Sequence, residues 1–144
     1  MSITQATKEL ADEFALLPDW EERIAYVIDL GKALAPLSED ERNESTRVRG
    51  CVSRVWLVCE TRAEGKLYFR GDSDAHLVRG EIALLLRLFS GRTPAEIVEA
   101  DPPALFTQLG LKDALTMQRS NGLFAMMTRM QICARNALQS TVAS

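Results

Sequence analysis

The residues that could carry chemistry gather around one cysteine. In Gly50-Cys51-Val52-Ser53-Arg54-Val55-Trp56-Leu57, a glycine and a cysteine meet just before a strongly β-prone run. Glycine permits an unusual backbone bend that presents the next side chain. A thiolate at Cys51 would attack sulfur or carbon, given access and some stabilisation of its negative charge. The competing reading is a small buried hydrophobe, which on residue pattern alone is the commoner outcome. His76 is the only histidine and the obvious partner for a Cys–His hydrolase. No base-orienting motif accompanies it, so a surface or packed histidine is expected there. A fixed cation such as Arg119 would assist the thiolate instead, although a lone arginine more often makes an ion pair.

Other constellations are weaker. Cys51, Cys59, His76, Asp72 and Asp74 are possible metal ligands, but no tight cysteine pair supports a zinc or iron-sulfur site. Asp72-Ser73-Asp74 lacks the oxygen-ligand succession of a calcium loop and reads as a turn with side-chain-to-backbone bonds. The odd total of three cysteines makes reduced thiols the expectation. In an extended strand Cys59 would stand about 26 Å from Cys51. Cys59 is therefore read as structural, and Cys133 likewise from its place on an apolar helix face. Trp56 lies in a Val/Leu-rich strand, which favours core packing over a partner-facing role. Met126, Met127 and Met130 fit the irregular apolar face of a sheet-covering helix.

The elements that must position Cys51 follow from periodicity. Ala6, Leu10, Phe14 and Leu17 recur at helical spacing over Thr4 to Leu17, until Pro18. A second helix starts at Asp19, which caps it with Glu22 three places on, and carries Ile24, Val27, Ile28 and Ala35 toward Pro36. Residues 38–47 are polar and read as a surface connection. Arg54 to Cys59 and Lys66 to Arg70 read as a hairpin around a turn at Arg62 to Gly65, and residues 74–79 as a third short strand. Gly80 then closes the strand phase, and Glu81 to Phe89 reads as a buried helix. Thr93-Pro94-Ala95-Glu96 caps a short helix; a further turn at Pro103 to Leu109 and a terminal helix from Ser120 to Leu138 complete the order. The expectation is an α+β fold with a small three-stranded antiparallel sheet packed against N- and C-terminal helices, the helix at Glu81 to Phe89 being central.

Composition bounds the partners. A chain of 144 residues with 47% hydrophobic and 26% charged residues fits one domain over 1–144 with its own core. Seventeen basic against twenty acidic groups give a net charge of -3, which argues against nonspecific nucleic-acid binding. Residues 1–50 carry six basic and eleven acidic groups, the remainder eleven and nine. The acidic front half reads as a soluble face more readily than as a docking patch. No apolar run suggests a membrane span or a secretory signal, so the expected location is cytoplasmic.

The ordered segments Leu30-Gly31-Lys32 with Leu34 and Pro36, Asn43, Val48 with Gly50-Cys51 and Ser53, Val55-Trp56-Leu57, Gly71-Asp72-Ser73-Asp74-Ala75, Val78 and Gly80 make one part of a larger pattern. Gly91-Arg92-Thr93-Pro94 with Ile97, Phe106 with Leu109-Gly110-Leu111, Leu115, and Arg119 with Gly122-Leu123 complete it. Together they resemble the SufE family of cysteine-desulfuration accessory proteins, in its SufE or CsdE branch. The resemblance implies a SufE/IscU-like fold in which Cys51 accepts sulfane sulfur from a desulfurase persulfide, stimulates that enzyme and passes sulfur toward iron-sulfur cluster assembly.

It further implies that Asp74 and Arg119 border the acceptor-cysteine site; on chemical grounds Arg119 is expected to stabilise the thiolate, and Asp74 to hold Arg119 or pin the loop. An apolar shelter is expected around Cys51, with a loop that swings out on docking. A SufS-like or CsdA-like desulfurase is the implied partner, with an iron-sulfur scaffold or another acceptor downstream. Pyridoxal phosphate is expected in the desulfurase and no cofactor in this chain; neither nucleic acid nor membrane is an expected partner. Cys59 and His76 fall outside the family pattern. A non-carrying scaffold or a regulatory binding protein for the desulfurase is the alternative, and an independent thiol hydrolase ranks below both.

Overall fold

The computed structural model describes residues 2–17, 19–50, 53–109 and 117–143, apart from side chains at 20, 63, 102, 103, 106, 107, 117–121 and 140–143. Helix α1 spans Ile3–Ala15; Ser2 caps it by accepting the Gln5 N–H, and it buries Ile3, Ala6, Thr7, Leu10 and Phe14 along one stripe. Glu96, far along the chain, also accepts the Ile3 N–H at 2.7 Å. Helix α2 spans Trp20–Lys32, and its Asp19 cap accepts the Glu22 N–H at 2.8 Å, as the capping signal predicts.

Among the described residues the sheet has two strands rather than three: β1 at Val55–Thr61 pairs antiparallel with β2 at Leu67–Ser73, with Leu57 opposite Gly71 and Cys59 opposite Phe69. The turn between them, at Ala63–Gly65, places Glu64 and Gly65 at positive φ. Single bridges extend each edge, Arg47 against Trp56 and Leu67 against Arg92. The third strand expected at 74–79 is the start of helix α3, which spans His76–Phe89. Four alternating residues suit either period, and the longer pattern wins: Gly80, Glu81, Ile82, Leu84, Leu85, Leu88 and Phe89 are all buried on one continuous helix.

Gly80 is therefore a contact residue and not a terminator. A Cβ added there would lie 2.0 Å from the Val27 carbonyl oxygen, and one on Gly31 would lie 2.5 Å from the Gly80 nitrogen. The two glycines let the backbones of α2 and α3 pack nearly in touch. Helix α4 at Pro94–Glu99 has the expected Thr93 cap, which accepts the Glu96 N–H, and Pro94 in its first turn. Helix α5 spans Pro102–Leu109 and α6 spans Met117–Ala143.

One core joins these elements. Val55 and Leu57 on β1, Leu67 and Phe69 on β2, Ile82, Leu85 and Leu88 on α3, and Leu123, Met126, Met127 and Met130 on α6 belong to the same buried cluster. The methionines thus occupy the core face expected of them. Burial of each stabilises the fold by roughly 1.5–3 kcal/mol relative to exposure. Among the described residues, no helix is long and apolar enough to cross a membrane.

Candidate functional site

Cys51 lies in the six-residue connection 49–54, whose two ends are locked together. The Val48 N–H donates to the Val55 carbonyl at 2.8 Å, the Leu57 N–H donates to Thr46 at 2.8 Å, and Arg47 bridges Trp56. The connection therefore leaves and re-enters the sheet edge at adjacent points. Cys51 and Val52 themselves lie outside the described residues. Gly50, just before them, has φ +91, a region that L side chains rarely adopt. A Cβ there would stand 3.4 Å from the Ala125 Cβ, so Gly50 abuts α6.

Side chains from α6, from β2 and from Asp74 just after it fix the two flanks. On the entering side, Arg129 of α6 donates to the carbonyls of Ser45 and Arg47, the latter at 3.2 Å. On the leaving side, Ser73 of β2 donates through Oγ to the Arg54 carbonyl at 2.6 Å. Asp74 accepts the Arg54 N–H at 3.2 Å and the Arg54 Nε–H at 3.0 Å. The Arg54 guanidinium beside Asp74 holds its carboxyl below the ordinary carboxylate value, against the opposing effect of partial desolvation. Of the two tasks expected of Asp74, pinning the loop has a described geometry, through Arg54. Arg119 sits in the first turn of α6, and its side chain is outside the described residues.

Asp72 is a structural neighbour of this arrangement. Buried at 3%, it accepts N–H groups from Leu37 at 3.0 Å and Ser73 at 2.8 Å and pairs with Arg79, which in turn donates to the Leu34 carbonyl. The turn chemistry read from Asp72-Ser73-Asp74 is present, at the end of β2 and the entry to α3. His76 is exposed as the first residue of α3.

Two readings from the sequence change. Cys59 and Cys133 are not reduced thiols: they form a disulfide that ties β1 to α6 across a separation of 74 residues. Both are structural, as expected, but their pairing was invisible because strand and helix meet only in the tertiary fold. Trp56 is not a core residue. Strand alternation turns it away from buried Val55 and Leu57, onto the outer face of the sheet. There Arg42, Arg47 and Arg54 surround its ring, each with Cζ 5.6–5.8 Å from the centroid. Arg129 escaped the sequence reading altogether, since backbone carbonyls more than eighty residues away leave no local signal.

Comparison with known proteins decides the family. Residues 8–134 match the SufE family, described as an Fe-S metabolism associated domain. The chain belongs to the SufE family. An uncharacterised SufE-like protein of Rhizobium etli is 44% identical over 126 residues, covering 85% of each chain. Another, of Rhizobium meliloti, is 41% identical over 133 residues, covering 90% of this chain and 95% of its own. A hypothetical protein from Thermus thermophilus, solved in solution, superposes with a TM-score of 0.77 over 93% of this chain and 96% of that one. At 24% identity it shows the shared SufE-like α+β architecture alone. A general sulfur-transfer accessory role with a cysteine desulfurase follows from this membership.

Proposed function

We propose that Cys51 is the sulfur acceptor of this SufE-family protein. The Cys51 thiol loses its proton, and its thiolate attacks the terminal sulfur of a persulfide on a SufS-like or CsdA-like cysteine desulfurase. The new S–S bond leaves Cys51 as the persulfide, and the desulfurase cysteine departs as a thiolate. Carbon–sulfur cleavage belongs to the partner and its pyridoxal phosphate. In the cytoplasm the carried sulfur passes toward iron-sulfur cluster assembly, and removal of the persulfide frees the desulfurase for another turnover.

The observation that carries this reading is the anchored connection 49–54. Its ends are closed by the Val48–Val55 bond and held by Arg129, Ser73 and Asp74, while Gly50 supplies the bend immediately before the cysteine. Such a frame holds a short connection at both ends without requiring the rest of the fold to move. Arg119 is assigned stabilisation of the sulfur anion, and Asp74 the positioning of the loop through Arg54.

The test is intact mass after incubation with desulfurase and cysteine. The wild type should gain one sulfur atom, about 32 Da, on Cys51. Cys51→Ser should gain none and fail to stimulate desulfurase turnover; full stimulation by that variant would replace the carrier with a non-carrying scaffold.

A further inference from the structure

We propose that the outer face of β1 around Trp56 is a docking surface for a carboxylate-bearing segment of the desulfurase, with Arg42 and Arg47 as its anion-binding groups. This rests on the sulfur-acceptor reading, since it gives that partner a place to bind beside the acceptor loop.

The charge around the loop opposes that of the whole molecule. Residues 42–54 contain four arginines and a single acidic residue, Glu44, in a chain of net charge -3. Two of these cations are already matched: Arg49 pairs with Glu44, and Arg54 with Asp74. Arg42 and Arg47 are not. No carboxylate among the described residues lies within ion-pair distance of either. Among the described residues, the buried Arg47 Nε has no acceptor. What holds both guanidinium groups is the Trp56 ring, each with its Cζ 5.8 Å from the centroid. Two like charges gathered on one indole, one of them on the exposed Arg42, leave an anion-binding surface.

Position points to the occupant. Arg47 bridges Trp56 at the neck of the 49–54 connection, so this surface adjoins the segment of chain that carries Cys51. Guanidinium groups match carboxylates well, and paired charges at an interface rim raise the encounter rate and fix register. An RNA strand is disfavoured, because two unmatched cations on an acidic protein release few counterions.

The test measures binding and transfer with purified cysteine desulfurase. Wild-type affinity should fall as KCl rises from roughly 50 to roughly 300 mM. Arg42→Glu should weaken binding about tenfold and flatten the salt dependence, with the loss falling on the half-saturating concentration of transfer. Arg47→Met, which keeps an apolar stem against Trp56, should act in the same direction. Retention of native thermal melting by Arg42→Glu separates docking from folding. Unchanged affinity and salt slope in both variants would overturn the proposal. A shift in the pH profile of Cys51 alkylation without loss of affinity would also overturn it, by reassigning the arginines to thiolate activation. Tight, salt-sensitive binding by Cys51→Ser preserves docking even if no sulfur moves, so failure of the carrier reading is distinguishable. Competition by RNA, but not by a polyglutamate peptide, would overturn the carboxylate assignment.

Discussion

The Cys59–Cys133 disulfide should contribute a large part of the stability of this protein. It closes a loop across 74 residues, joining β1, which follows the connection 49–54, to α6, whose Arg129 holds the Ser45 and Arg47 carbonyls before it. On the chain-entropy account, constraining the unfolded state over that length stabilises the native state by about 4 kcal/mol. For a domain of this size such a change lowers the melting temperature by roughly 10 °C or more on reduction. The assay begins with protein whose Cys51 has been blocked by alkylation. Melting is then followed with the pair oxidised and reduced, and again in Cys59→Ser and Cys133→Ser. Each single variant should match the reduced wild type, and the double variant should lose little more, because both substitutions remove the same bond. Before reduction, the unblocked and denatured protein should react at one thiol; after reduction it should react at all three. Three reactive thiols at the outset, or melting temperatures within about 2 °C of each other, would refute the reasoning.

Other perturbations reach different parts of the frame. Gly80→Ala should cost about 3 kcal/mol in urea unfolding, since its Cβ would fall 2.0 Å from the Val27 carbonyl oxygen and force α2 and α3 apart; a loss under about 0.5 kcal/mol would show that the helices separate freely. The Glu41 carboxyl is lowered to about 2, first by its bond to Arg70 and then by the Ser38 N–H. Its folded value is depressed, so the stabilisation is present above the ordinary carboxylate range and is lost as pH falls through about 2. A carboxyl titration followed by NMR should place its midpoint there, and an ordinary midpoint would show that the Arg70 pair does not form. Arg129→Met should free the carbonyls of Ser45 and Arg47 and speed amide exchange across residues 45–50, while exchange in β2 stays slow. Equal rates in both proteins would remove Arg129 as a clamp.

The parts of the fold legible in the sequence were those governed by local signals. The caps at Asp19 and Thr93 depend on one side chain and an N–H three residues away, and both are made. The hairpin at β1 and β2 follows from β-branched and aromatic residues around a Gly-containing turn. The missing third strand shows where such signals stop. Residues 74–79 alternate well enough for a strand, and Gly80 resembles a terminator, but the packing of Gly80 on the Val27 carbonyl is a tertiary fact. Once α2 lies there, extending α3 back to His76 satisfies backbone groups that a lone edge strand would leave open. Sheet pairing is supplied instead by Arg47 and Arg92, single residues in segments that carry no strand pattern.

The candidate site divides in the same way. Cys51 and its glycine could be found from their adjacency, and Asp74 from its family pattern. The other supports could not, because Ser73 acts on Arg54 from nineteen residues away, and Arg129 acts from the far end of the chain. Their partners are largely backbone groups, which every residue type offers equally. Trp56 is the sharper case, since apolar character alone placed it inside. Parity along β1 sets Val55 and Leu57 inward, so the intervening Trp56 must face the other way. Once outside, it is a platform for cations drawn from residues 42, 47 and 54. The strand that buries the core with its odd positions thus presents an arginine-lined aromatic surface with an even one, beside the connection 49–54. A single alternation thus sets both the buried face of the hairpin and its cationic outer face.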